Sequence, residues 1–164
     1  MTGVVVVPAT PLQGEVVGRL LRRFDDEFDT PGPTAAEFGR RFGVLLERDD
    51  VLVLLATGPA DPQGPDGRDD PHGFAFLTFR PTPYSDGPIA QLEELWVAPD
   101  RRGAGSGSAL LVRAVEELRR RGGPEMQINV DEVDVDARRF YERHGFVNVE
   151  AGRTDRMLCY VGEF

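Results

Sequence analysis

At 164 residues the chain suits one globular domain with a single adequate core. Its hydrophobic content is 40%, yet no apolar run approaches the ~18 residues needed to cross a bilayer, which excludes a membrane-spanning helix. A formal net charge of −9, from 28 acidic residues against 19 arginines and no lysine, repels nucleic acid and anionic lipid and attracts cations.

Taken in chain order, residues 4–7 form a short, wholly apolar strand ended by Pro8. Leu12, Val16, Val17, Leu20, Leu21, Phe24 and Phe28 recur at helical spacing and predict a first helix. Asp25, Asp26, Glu27 and Asp29 cluster at its end, just before the Pro31-Gly32-Pro33 break. Ala35, Phe38, Phe42, Leu45 and Leu46 predict a second helix. Residues 51–57 and 73–80 read as apolar strands. Between them, residues 58–72 are rich in Gly, Pro and Asp and are expected to be a mobile hairpin tip. Residues 89–97 give a fourth strand and 105–121 a third helix, stopped by Gly122-Gly123-Pro124. Residues 126–130 read as a strand, 136–144 as a helix, and 146–149 and 156–161 as two last strands. The expected order is β-α-α-β-β-β-α-β-α-β-β, an α/β mixed sheet in a single domain over residues 1–164. Cys159, the lone cysteine, excludes an internal disulfide and is expected as a small core residue of the final strand. The segment MTGVVVVPATP lacks the basic stretch of a signal peptide, so a reducing cytoplasm is the expected location.

The segment LEELWVAPDRRGAGSG, residues 92–107, carries the chemistry. Leu92, Leu95, Trp96 and Val97 form the apolar body of a strand that Pro99-Asp100 ends. Gly103, Gly105 and Gly107 remove side chains where backbone N–H groups turn toward an anion, and an apolar helical run follows from Leu110. Unpaired donors and the positive dipole end of that helix favour a pyrophosphate. The nucleoside-triphosphate loop needs Lys-Ser/Thr after its last glycine, which a chain without lysine cannot supply. The dinucleotide fingerprint needs G-x-G-x-x-G after a first strand, whereas this chain has G-x-G-x-G past its midpoint.

The pattern V-x-P-x-x-R-G-x-G-x-G-x-x-L, with Val97, Pro99, Arg102, Gly103, Gly105, Gly107 and Leu110, resembles motif A of the GCN5-related N-acetyltransferases. Further on, ARRFYERHGF at residues 137–146 is similar to that family's A-x-x-F/L-Y-x-x-x-G-F segment. The resemblance spans nearly the whole chain and implies an acyl-CoA N-acyltransferase fold whose fourth and fifth strands splay apart. It implies acetyl-CoA as acyl donor, with its pantetheine arm against Leu95, Trp96 and Val97. The pyrophosphate then falls on Gly103, Ala104, Gly105, Ser106, Gly107 and Ser108, with Arg102 adding charge beside it. Tyr141, by the same resemblance, is the general acid that protonates the leaving thiolate. The family often has Asn where this chain has Asp134. Aspartate caps a helix equally well but offers no neutral amide to the cofactor arm.

Acetyl transfer to an amine needs a neutral attacking nitrogen, a polarised carbonyl and a protonated leaving group. Glu93 and Glu94 are the candidate bases, adjacent on the motif strand and therefore directed to opposite faces. Strict alternation puts Leu95 and Val97 with Glu93, and Leu92 and Trp96 with Glu94. The match to the Glu-Asp pair of polyamine and aminoglycoside acetyltransferases points to Glu93. Ribosomal-protein N-terminal acetyltransferases place a glutamate base at the position of Asn129, where an amide accepts no proton usefully. His72 and His144 have no partner at ligand or triad spacing, so no metal is expected.

The function implied is N-acetyl transfer to a small, cationic amine by direct attack in a ternary complex, with substrate held by residues 25–34 and 150–155. Neither nucleic acid nor membrane is expected as a partner. The family admits a homodimer through the last strand, for which the sequence has no signature of its own. Two alternatives stand beside this: a non-catalytic acyl-CoA-binding or partner-binding module, and a protein-lysine acetyltransferase.

Overall fold

A computed structural model describes residues 3–58 and 70–164. Residues 59–69, the bulk of the expected hairpin tip, lie outside them. The chain divides into two compact units, Met1–Gln127 and Ile128–Phe164.

The first unit holds β1 (Val5–Pro8), α1 (Gly14–Glu27), α2 (Ala35–Leu45), β2 (Val51–Thr57), β3 (Gly73–Arg80), β4 (Ile89–Val97) and α3 (Ser106–Arg120). β5 (Glu125–Ile128) follows, and α4 (Val135–Arg143) lies in the second unit. The sheet order is β1-β2-β3-β4-β5, with β1 to β4 pairing antiparallel. β2 is buried along nearly its whole length, as an all-apolar strand covered on both faces must be. On one face Val17 and Leu20 of α1 and Phe42 of α2 pack on Val53, Leu55, Phe74 and Trp96. α3 packs on β2, β3 and β4, burying Leu110, Leu111, Ala114 and Leu118. The sheet is thus sandwiched between one helix pair and a third helix, the layered arrangement that buries both of its faces.

α1 and α2 approach unusually closely, because glycines meet at their crossing. A Cβ on Gly18 would lie 2.4 Å from Gly39 N, and one on Gly14 would lie 2.6 Å from Gly43 N. The loop between them is tied from within. Arg22 donates from Nη1 to the Pro33 carbonyl at 3.0 Å and from Nη2 to the Thr30 carbonyl at 2.8 Å. Thr34 then caps α2 in a reciprocal box with Glu37.

At the far end of α3, the buried Glu117 carboxylate accepts from Arg120 and Arg121, which hold it at about 2, far below the ordinary carboxylate range. Arg121 also donates to the Asp49 carbonyl at 2.6 Å and covers the Phe79 ring at 4.0 Å. Burying this charge is tolerable because both partners are in place.

In the second unit, Asp134 caps α4 by accepting from the Ala137 N–H at 3.1 Å. The two last strands expected from sequence are replaced by a single antiparallel bridge, Val149↔Arg156, supported by the Met157 N–H to the Asn148 carbonyl at 2.7 Å. An apolar run names no neighbour, and among the described residues pairing stops at the bridge. Met157, Leu158, Tyr160 and Val161 are exposed. Cys159 is exposed with them, not a core residue.

Candidate active site

β4 runs into a short 3₁₀ turn at Pro99–Arg101 and then into α3. Gly103 and Gly105 adopt positive φ, 77° and 89°, and a Cβ on either would meet nothing within 4 Å. Conformation rather than space demands glycine at both positions. Gly105 is the N-cap of α3 and no side chain caps it. Along this turn the Ala109 N–H donates to the Gly105 carbonyl at 2.9 Å. A helix leaves the N–H groups of its first turn without partners inside it. Gly103, Ala104 and Gly105 are exposed and Gly107 and Ser108 half-buried, so the loop presents backbone rather than side chains, which suits an anion.

Ser106 is the exception. It is buried, and its Oγ lies 2.9 Å from Nε2 of the buried His72. The His72 backbone continues the ladder, its N–H donating to the Ala56 carbonyl and its carbonyl accepting from the Ala98 N–H. Sequence spacing hid this pair, because 34 residues separate the two.

The glutamates differ because β4 bulges. Gly73↔Val97, Phe74↔Trp96, Ala75↔Leu95 and Phe76↔Glu94 pair in order, and then Leu77 faces Leu92, which leaves Glu93 as the extra residue. Glu94 and Trp96 therefore share the α1/α2 face with Phe74 and Phe76, as alternation predicts. Leu92 does not join them: the bulge moves it to the face of Leu77, opposite Trp96. Glu93 is exposed and accepts a short hydrogen bond from the Thr78 hydroxyl. Glu94 is half-buried, and its carboxyl is pushed up to about 7, first by burial, then by the charges of Asp25 and Glu93. Leu95 is half-buried, while Trp96 and Val97 are buried.

Arg102 opens the glycine motif, but its donors point back into the protein. Nη2 donates to Glu27 Oε2 at 2.7 Å, and Nε donates to the Val97 carbonyl at 2.9 Å. Asp134 and Tyr141 belong to the second unit. Tyr141 is half-buried on α4, its ring edge-on to Phe140 and Phe146, and its carbonyl accepts from the His144 and Phe146 N–H groups. His144 itself lies with Nδ1 2.8 Å from the Phe140 carbonyl, an ordinary helix-end contact. Among the described residues, no group of histidine, cysteine and carboxylates is arranged to hold a metal ion.

Residues 22–146 match the profile of the Acetyltransferase (GNAT) family. The chain belongs to that family. This GNAT chain is 44% identical to a candidate acetyltransferase from Arthrobacter sp. FB24, over 98% of its own length and 96% of that chain, with a TM-score of 0.85. A mycothiol acetyltransferase of Thermobispora bispora is 40% identical over 62 residues, which are 38% of this chain and only 21% of that protein. An aminoglycoside acetyltransferase from an uncultured soil metagenomic sample, in complex with sisomicin, shares the fold. Its TM-score is 0.72 at 18% identity over 98% of this chain and 97% of that one. The GNAT chain is an acetyltransferase of mixed α/β fold. No helix among the described residues is long and apolar enough to cross a membrane.

Proposed function

We propose that this GNAT enzyme transfers the acetyl group of acetyl-CoA to a primary amine of a small, cationic acceptor, by direct attack in a ternary complex, with Glu94 as general base. The observation that carries this reading is Glu94 itself. It is a half-buried carboxylate on the strand that leads into the glycine motif, on the same face as Trp96, and it titrates near 7. A base with that pKa takes up the proton an attacking alkylammonium must lose, at a pH where both forms coexist. Its two repelling neighbours, Asp25 and Glu93, favour a cation arriving beside it. The family match points to Glu93, but the bulge leaves that residue exposed and bonded to Thr78, so the geometry supports Glu94.

The chain's own groups fit the acyl donor. Gly103 to Ser108 offer backbone N–H groups at a helix N-terminus to the pyrophosphate. The end of β4, at Leu95, Trp96 and Val97, takes the pantetheine arm, and Tyr141 protonates the leaving thiolate. These roles follow the family motifs residue for residue. The mycothiol acetyltransferase and the aminoglycoside acetyltransferase similar to this chain are both named for small molecules, which agrees with a small acceptor.

Thiol release from acetyl-CoA across a panel of primary amines tests the reading. The unaltered protein should release CoA with polyamines or aminosugars. Glu94→Gln should lower turnover by about 10²- to 10⁴-fold while retaining acetyl-CoA affinity. Equal turnover in Glu94→Gln removes Glu94 from the mechanism, and no release with any amine overturns the enzyme reading.

A further inference from the structure

Glu27 is the last residue of α1, where the helix gives way to the loop over residues 28–34. The negative end of a helix dipole disfavours a carboxylate there unless something else holds it. Two donors do. A single oxygen, Oε2, accepts from Trp96 Nε1 at 2.6 Å and from Arg102 Nη2 at 2.7 Å. Arg102 Nε meanwhile donates to the Val97 carbonyl at 2.9 Å. From one turn back on α1, Arg23 lays its guanidinium over the Trp96 ring, 5.1 Å from the centroid. Trp96 is only 3% exposed, and the Glu27 side chain is 22% exposed despite its place at a helix end. The end of β4, the start of the glycine motif and the end of α1 therefore meet in one charge-assisted knot.

We propose that Glu27 is a positioning residue for acyl transfer, coupling the end of α1 to the cofactor-facing end of β4, with Arg102 as its strut rather than as a phosphate ligand. This rests on the acetyl-CoA reading above. Trp96 and Val97 belong to the strand end assigned to the pantetheine arm, and Glu27 fixes both, one directly and the other through Arg102. The Nε and Nη2 donors of Arg102 form the fork that grips an oxyanion bidentately, and here they grip Glu27 and Val97 instead. For that Nε–Nη2 fork to grip a phosphate, both bonds must break. Glu27 was visible in the sequence only as one member of an acidic cluster, since its partners lie 69 and 75 residues away.

Because Trp96 is the sole tryptophan, the knot has its own optical signal. Acetyl-CoA is titrated calorimetrically into the unaltered protein and into Gly105→Glu, Glu27→Gln, Arg102→Gln, Trp96→Phe and the Glu27→Gln/Arg102→Gln double variant. Indole emission is recorded for each protein that retains Trp96. The unaltered protein binds and Gly105→Glu loses binding. Glu27→Gln shifts the emission and weakens acetyl-CoA about tenfold, a coupling of ordinary size for two linked sites. The double variant binds no more weakly than the worse single one, since both substitutions break one unit. Trp96→Phe, which removes the indole donor together with part of the ring and leaves Arg102 on Glu27, weakens binding likewise. The proposal is overturned if Glu27→Gln and Trp96→Phe bind as the unaltered protein does while Arg102→Gln alone loses affinity, because Arg102 is then a direct phosphate ligand. Absence of binding by the unaltered protein is a different failure: it overturns the acetyl-CoA reading and takes the coupling with it.

Discussion

Glu94 is where a single side chain decides most. Its carboxyl sits near 7 because burial comes first among its causes and two carboxylates, Asp25 and Glu93, add to it. A base works only when deprotonated, so kcat/KM should rise with pH through about 7, and the rise should vanish in Glu94→Gln. Asp25→Asn removes one repelling charge, which lowers the Glu94 pKa and moves the midpoint to lower pH. A pH–rate profile of the two variants checks both statements, and an unmoved midpoint in Asp25→Asn separates Asp25 from the site. Stability carries the opposite sign. The folded state binds the extra proton between the ordinary carboxyl value of 4.5 and about 7, so this residue's contribution to stability declines as pH rises across that window. The sequence placed both glutamates on the right strand, because apolar residues around a glycine motif leave them no other element. The family match pointed to Glu93, and alternation, which contains no bulge, does not reveal that pairing with β3 leaves that residue as the extra one.

The same division between local and long-range information holds for whole elements. α3 and its glycine turn were legible because a positive φ at Gly103 and Gly105 is a local requirement that only glycine meets easily. α1 and α2 were legible from helical periodicity, with their ends written in Pro31-Gly32-Pro33 and the Thr34–Glu37 box. What periodicity does not reveal is that Gly14, Gly18, Gly39 and Gly43 bring the two helices into backbone contact. Glycine in a helix interior is unfavourable by about 1 kcal/mol relative to alanine, so propensity alone predicts that Gly18→Ala stabilises the protein. The contact predicts the reverse. A methyl group 2.4 Å from Gly39 N has only rigid backbone to displace, and overpacking of that kind costs about 1–3 kcal/mol. Thermal unfolding of Gly18→Ala should therefore show a lowered midpoint, whereas a raised one means that the helices move apart at no cost. The last strand failed as an expectation for a related reason. Residues 157–161 form the apolar run of a strand, but a strand exists only where a neighbour accepts its hydrogen bonds, and an apolar run does not name the neighbour.

Over the whole molecule the two proposed substrates carry opposite charges, and the chain carries −9. A field of that sign raises the local concentration of a cationic amine and repels an acyl donor bearing phosphates. The glycine loop answers this with backbone N–H groups, because Arg102, the arginine that opens it, directs its Nε and Nη2 inward to Val97 and Glu27. On the proposed reading, binding the donor depends on short-range hydrogen bonds that salt screens little, while capture of the acceptor depends on a long-range field that salt screens strongly. The Debye length falls from about 30 Å at 0.01 M to about 8 Å at 0.15 M ionic strength. Raising ionic strength over that range should lower kcat/KM for a polyamine such as spermidine several-fold and leave a monoamine such as benzylamine much less affected. Over the same range acetyl-CoA affinity should hold or improve slightly, since the screened contribution is repulsive. Parallel losses for both amines would assign acceptor capture to contacts within the site and leave the acidic surface a role in solubility alone.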